Sequence, residues 1–286
     1  IRQSISLIAR FPVIVAYAYF GMRHSFQRKS LIIRHPKPGL SLAENFLYML
    51  KGSNGYTKLQ ADLLDLALVL HAEHGGGNNS TFSVRVTSST ETDTYSAIAA
   101  GIGSLKGPLH GGANIKVQGM LNDMKKHVSD WKDIDQIDNY VRKIMNKEAY
   151  DRTGLIYGIG HAVYTVSDPR AILLKEMARE LAKEKGREDE FEFMELVEER
   201  SVKVFMETKK RHAKGNVCIN VDFYSGFVYD AIGLPSDVFT PLFAMARIVG
   251  WSAHRIEEMN FASKRLIRPA YKNVREVQSF TPLNER

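Results

Sequence analysis

Apolar residues recur at three- and four-residue spacing over most of the chain, and that period predicts helices. Leu59, Leu63, Leu66 and Leu70 mark one such face, on a helix that runs on to His74. Ser41-x-x-Glu44 is a capping box ahead of residues 45–50, where two side chains satisfy two otherwise orphaned N–H groups. Further helices are read over 80–89, up to Leu105 with Thr90 or Thr92 as cap, over 113–124 and over 134–147. Asp168-Pro169 is a helix start, with an acceptor at the cap and Pro at the first helical position, and that helix closes at Gly186. The last helices are read over 188–210, 222–232 and 236–258, the second of these ended by Gly233 and Pro235. The apolar run 11–22, flanked or interrupted by Arg10 and Pro12, is too short to span a bilayer and is read as a buried helix. Only 31–33 and 155–159 read as strands. The expected fold class is all-α, and no repeat or low-complexity linker marks a domain boundary.

Composition narrows the classes further. Of 286 residues, 44% are hydrophobic and 25% charged, which suits one large core or two smaller ones and excludes collagen-like and disordered acidic chains. The single cysteine, Cys218, cannot pair within the chain; it excludes clusters of thiolate metal ligands and reads as a small buried apolar residue. A net charge of +7 admits nucleic acid, a membrane surface or a small anion as partner. The basic residues alternate with acids, as in 203–210, and form no stripe interleaved with aromatics. An anionic small molecule is therefore expected, with no nucleic acid and no membrane. No signal peptide is visible, and the cytoplasm is the expected compartment. The chain opens on Ile1 and not on Met.

Four segments set titratable residues among glycines or apolar neighbours, where backbone and ligand can approach closely. In His71-Ala-Glu-His74-Gly-Gly-Gly77 the two histidines share a helix face, but the spacing is not that of a zinc protease and no third ligand is evident, so no metal is expected. A helix C-terminus favours His through its dipole, yet three glycines exceed what a cap requires. In Gly107-Pro-Leu-His110-Gly-Gly-Ala-Asn114 a His precedes a helix, which would keep its ring neutral and able to donate to a forming oxyanion; a plain surface-loop His fits equally. Gly158-Ile-Gly160-His161 lacks the setting of a dinucleotide fingerprint, but His161 could polarise a carbonyl. Arg170 opposes the dipole at its helix start, which hints at a bound carboxylate or at pairing with a nearby acid. Asp222, among apolar and aromatic residues, reads as a base with a raised pKa, as a helix cap, or as both.

Taken in order, His110-Gly-Gly-Ala-Asn, Gly-His161-Ala-Val-Tyr with Asp-Pro-Arg170, and Asn-Val-Asp222-Phe-Tyr-Ser-Gly resemble the three active-site signatures of the citrate synthase family. The likeness runs from Pro12 to Pro269. It implies that His110 holds the enolate of acetyl-CoA, Asp222 removes the methyl proton, and His161 donates to the carbonyl of oxaloacetate. It further implies that His74, Arg170, Arg247 and Asn114 contact substrate, that Ser80 supports His110, and that Arg268 reaches a partner's site in a homodimer. The backbone at Leu155, Ile156, Gly158, Ile159 and Gly160 would line the adenine of coenzyme A. No metal or resident cofactor is implied; acetyl-CoA is a co-substrate. Ala162 stands where many bacterial relatives carry Arg.

The resemblance also implies two helical domains, a large one from 1–112 and 223–286 and a small one from 113–222 that closes over the cleft between them. The helices over 59–74 and 80–105 would pack against a twin subunit. The N-terminal part of a complete family member is missing from the chain, which is read as a partial one. The implied reaction condenses acetyl-CoA with oxaloacetate and hydrolyses the thioester. A 2-methylcitrate synthase acting on propionyl-CoA and a non-catalytic binding protein of the same fold are the alternatives.

Overall fold

The computed structural model describes residues 1–160, 167–208, 217–272, 274 and 279–285. Among these the α-helices run in chain order as α1 (Arg2–Gln27), α2 (Leu42–Lys51), α3 (Lys58–His71), α4 (Asn79–Ser88), α5 (Thr94–Leu105) and α6 (Ala113–His127), followed by α7 (Ile134–Met145), α8 (Pro169–Lys185), α9 (Glu188–Thr208), α10 (Asp222–Ala231) and α11 (Phe239–Asn260). The fold is all-α, as the periodicity predicts. The two strand expectations fail: 31–33 has no strand, and 155–159 contributes only a single antiparallel bridge, Ile159 to Ile219. Two or three apolar residues cannot specify a strand without a sheet to receive them.

Most helix ends follow their caps. Ser41 and Glu44 form the expected reciprocal box at the start of α2, with Glu44 N–H on Ser41 Oγ at 3.2 Å and Ser41 N–H on Glu44 Oε2 at 2.8 Å. Asp168 caps α8, and Gly186 ends it in the left-handed conformation. The cap of α5 is Asp93 and neither Thr90 nor Thr92; its carboxylate accepts from the N–H groups of both Tyr95 and Ser96. The helix carrying Leu59 to Leu70 stops at His71, three residues before His74.

Helix α11 is the hub, packed on α1, α3, α4 and α5, while α10 packs on α6, α8 and α3. The apolar run 11–22 belongs to a 26-residue helix, longer than the run itself and apolar enough by length and composition to cross a membrane. One face of it, Phe11, Val15, Ala16 and Phe20, nevertheless enters the core, so the expectation of a buried helix holds for that face alone; Ile5, Ile14 and Phe26 are exposed. The α4–α5–α11 crossing is tight. A Cβ on Gly101 would stand 2.6 Å from Val84 and 3.2 Å from the Trp251 ring, so no side chain fits there. Trp251 is fully buried, and burial of such a side chain contributes about 2–3 kcal/mol. Between α7 and α9 the buried Arg200 forks onto Asp138, with Nε to Oδ1 at 2.7 Å and Nη2 to Oδ2 at 2.6 Å.

Candidate active site

His110 sits on a loop whose shape is fixed by backbone bonds. Gly111 N–H donates to Leu105 O at 2.9 Å, and Thr240 Oγ1 donates to Gly111 O at 3.0 Å. A Cβ on Gly111 would collide with the Leu105 carbonyl, so glycine is required there by space alone. The ring of His110 meets Ser80, with Nε2 accepting from Ser80 N–H at 3.3 Å and lying 3.0 Å from Ser80 Oγ. A backbone N–H can only donate, so Nε2 is the unprotonated nitrogen and the ring proton sits on Nδ1. Ser80 is itself held: its Oγ accepts from Trp251 Nε1 at 3.2 Å and lies 2.9 Å from Asn78 Oδ1. Loss of water holds the His110 pKa below its ordinary value, and Arg247 and His74 add to the lowering. Both observations describe a neutral, half-buried imidazole whose proton sits on Nδ1, and not a fully exposed loop ring.

Arg247 on α11 is completely buried. Its Nε donates to His71 O at 2.8 Å, and its guanidinium lies 4.8 Å from the centre of the Phe243 ring. Nη1 and Nη2 are buried, with no hydrogen-bond partner among the described residues. Burial pulls its pKa down to about 10, against the attraction of Glu73 and Asp222. A buried guanidinium with two idle nitrogens is costly unless an anion arrives, and a carboxylate matches that fork in geometry and charge.

The same guanidinium acts on the neighbouring imidazoles. His74 is half-buried, and its pKa is lowered by burial and then by Arg170 and Arg247. Buried His71 is pushed down to about 4, chiefly by loss of water, and its Nδ1 bonds Ala67 O at 2.7 Å. Glu73 Oε1 accepts from the N–H groups of His74, at 2.7 Å, and of Gly75, which takes a positive φ of 87°. Among the described residues no group of three metal-ligating side chains forms.

Asp222 opens α10 as its first helical residue and does not cap it; the cap acceptor is Asn220 Oδ1, on Asp222 N–H at 3.1 Å. The cap reading of Asp222 therefore fails. Burial pushes the Asp222 carboxyl up to about 6, against the pull of Arg170 and Arg247. The segment before it is tied to 158–160: Asn220 N–H donates to Gly158 O at 2.9 Å, Gly160 N–H to Cys218 O at 2.8 Å, and Asn220 Nδ2 to Gly160 O at 3.0 Å. Two of the four sequence segments are thus laced together. A Cβ on Gly158 would press on Phe223 at 2.8 Å, which explains a glycine of φ 81° at that crossing. Ile156 is buried here, while Leu155 is exposed.

The other expected residues are less central. Arg170 forks onto its own helix cap, with Nε 3.0 Å from Asp168 Oδ1 and Nη2 2.9 Å from Oδ2, which is the pairing with a nearby acid that its position allowed. Asn114 is buried; its Oδ1 accepts from Ile115 N–H at 2.8 Å, and its carbonyl packs on Gly226 of α10. Arg268 is exposed on the segment after α11, whose Ile267 N–H is pinned to Ser89 Oγ at 3.1 Å. His161 and Ala162 lie outside the described residues. A cavity of about 1350 Å³ between α8 and α9 is lined by Lys175, Arg179, Glu195 and Glu198, among others, and by none of the imidazoles above. Sequence reasoning passed over Asn78, Glu73, Trp251 and His254. Glu73 lies inside the His71–Gly77 segment and Asn78 directly follows it, while Trp251 and His254 stand one and two helical turns after Arg247; those places are the signal that could have found them.

A neutral N–H donor, a carboxyl poised to lose its proton near pH 6 and a buried guanidinium awaiting an anion suit removal of a proton beside a carbonyl with stabilisation of the resulting oxyanion. Residues 1–270 match the family model described as citrate synthase, C-terminal domain. The citrate synthase of Deinococcus radiodurans is 41% identical over 271 residues, 94% of this chain and 64% of that protein. A 2-methylcitrate synthase of Shewanella oneidensis is 34% identical over 264 residues, 92% of this chain and 62% of that protein. The citrate synthase of Thermoplasma acidophilum, in a ternary complex with carboxymethyl coenzyme A and oxaloacetate, superposes with a TM-score of 0.78 at 31% identity, over 99% of this chain and 68% of that one. The chain thus spans about two thirds of the length of these relatives. Family model, relatives and fold agree with the order of the motifs, and the chain belongs to the citrate synthase family.

Proposed function

We propose that the protein condenses acetyl-CoA with oxaloacetate and hydrolyses the thioester to citrate and coenzyme A. The observation that carries this reading is the buried Arg247, with two unpartnered nitrogens, acting on His74, His110 and Asp222 at once. Asp222 takes a proton from the thioester methyl while His110 Nδ1–H supports the enolate oxygen. Neither group is strong enough alone for so weak a carbon acid, so the two act together. Arg247 and His74 receive the carboxylates of oxaloacetate, with Arg170, in exchange with Asp168, and Asn114 as further contacts. His161 donates to the ketone, and Ser80 fixes His110. The backbone at 155–160 lines the adenine of coenzyme A. Domains 1–112 with 223–286 and 113–222 close over the cleft and exclude water before hydrolysis. The enzyme works as a cytoplasmic homodimer, in which Arg268 reaches the partner's site. Val69, Phe82 and Tyr95, exposed on α3, α4 and α5, support an interface on those helices.

The relative named 2-methylcitrate synthase favours a second reading, the same chemistry on propionyl-CoA. Thiol release by the full chain, measured with each thioester and oxaloacetate, decides between them. Faster turnover of acetyl-CoA is expected. A large preference for propionyl-CoA would select the second reading, and no release with either thioester from folded protein would overturn both.

A further inference from the structure

One face of α11 organises the whole segment from His71 to Ser80. Arg247, Gly250, Trp251 and His254 recur at helical spacing, and each engages that segment. Arg247 Nε donates to His71 O at 2.8 Å, Gly250 N–H to Ala72 O at 3.1 Å, and Trp251 Nε1 to Ser80 Oγ at 3.2 Å. His254 Nε2 meets Glu73 Oε1 at 3.1 Å. A carboxylate only accepts, so the ring donates from Nε2. The same oxygen accepts from the backbone N–H groups of His74 and Gly75. Three donors converge on one atom at the point where the chain leaves α3 and turns through Gly75. Gly250 makes the approach possible, because a Cβ there would collide with both Ala72 O and Glu73 Oε2. The Glu73 side chain is 46% exposed and that of His254 is 18% exposed, so the pair adds little stability as a bare ion pair. Its geometric effect is larger, because it fixes the backbone of the residue that carries the His74 ring.

We infer that Glu73 and His254 are positioning residues that clamp the 73–75 turn and set the His74 imidazole beside Arg247 for its dicarboxylate ligand. The inference rests on the proposed reading of that site. Neither residue touches substrate. The clamp removes freedom that the turn would otherwise lose on binding, so its effect falls on affinity for oxaloacetate more than on the chemical step.

Glu73→Ala, His254→Ala, the double variant and His254→Gln test this in the full chain. Readouts are oxaloacetate KM, kcat at saturation, the thermal midpoint, and amide hydrogen exchange at His74 and Gly75. Glu73→Ala is expected to raise KM about tenfold, the loss of one charge-assisted contact, with kcat changed much less. Exchange at both amides speeds up while the thermal midpoint stays nearly constant. The double variant is no worse than Glu73→Ala, because the two act as one unit, and His254→Gln, which keeps an N–H donor, restores most of the affinity. Unchanged KM and exchange in Glu73→Ala would overturn the clamp, as would full additivity of the two alanine variants. If the unmodified chain binds no oxaloacetate yet Glu73→Ala still accelerates exchange, the reading of the site falls and the clamp itself stands.

Discussion

Two regions of the molecule set an aspartate in the field of a buried arginine, and they do so in opposite ways. Between α7 and α9, Arg200 and Asp138 join in a closed fork, and that hydrogen bonding holds the Asp138 carboxyl below its ordinary value. At the head of α10, Asp222 feels Arg247 and Arg170 without bonding Arg247; its carboxyl is pushed up, and Arg247 keeps two nitrogens idle. The first arrangement satisfies itself and is structural. The second is incomplete as the chain stands, which costs stability in the empty protein and reserves both charges for something that binds. Burial of charge is therefore a poor guide to function; unsatisfied burial is a good one.

The sharpest way to break this contrast is to neutralise each carboxylate. Asp222→Asn should lower turnover about a thousandfold, the scale of a lost general base, and leave oxaloacetate binding mostly intact. Asp138→Asn should leave KM unchanged and cost about 3 kcal/mol of unfolding free energy in denaturant melts, because it strands Arg200. Weakened oxaloacetate binding with normal saturated turnover in Asp222→Asn would contradict the base assignment. Exchanging the arginines comes next. Arg247→Met should weaken oxaloacetate binding about a hundredfold, by calorimetry, and leave the thermal midpoint unchanged or higher, since it removes an uncompensated charge. Arg200→Met should do the reverse.

Titration separates the same two regions by sign. Folded protein holds the Asp222 proton more tightly than the unfolded chain does, so this residue's contribution to stability falls as pH rises from 3.8 to about 6. Activity runs the other way, with kcat/KM rising through about pH 6 as the base ionises. Asp138 is depressed, so its contribution is present above its ordinary value and lost as pH falls through the lowered one. Melts of Asp222→Asn against the unmodified chain should show the variant gaining at pH 8 and the gap closing below pH 4. The smallest effect marks plain scaffold. Ser41→Ala should cost about 1 kcal/mol in a chemical melt, from loss of the α2 capping box, with activity unchanged.

Much of the scaffold was legible because local rules decided it. The α2 box, the Asp168-Pro169 start of α8 and the closing Gly186 need only their near neighbours. Spacing alone could not separate the strand signal of 155–159 from a loop, because the bridge partner, Ile219, lies 60 residues away. At the candidate site, glycines and titratable residues marked segments that the fold brings together, 158–160 with 218–220 and the His74, His110 and Asp222 segments around Arg247. What no local pattern could give was the support beneath them. Trp251 under Ser80, His254 on Glu73 and Asn220 on Gly160 follow from contacts between residues far apart in the chain. Arg170 shows the converse, a residue whose odd helix position pointed to a nearby acid, and Asp168 is that acid.

The contacts of α11 have a consequence for how such a chain can change length. Inserting one residue between Arg247 and His254 would rotate everything beyond it by about 100°, swinging one half of the stripe away from the 71–80 segment. Adding a whole turn would restore the rotation but shift the two halves about 6 Å apart along the axis, out of reach of their fixed acceptors. This short stretch therefore holds its count as strictly as its buried side chains, whereas the loops joining the helices carry no such arithmetic.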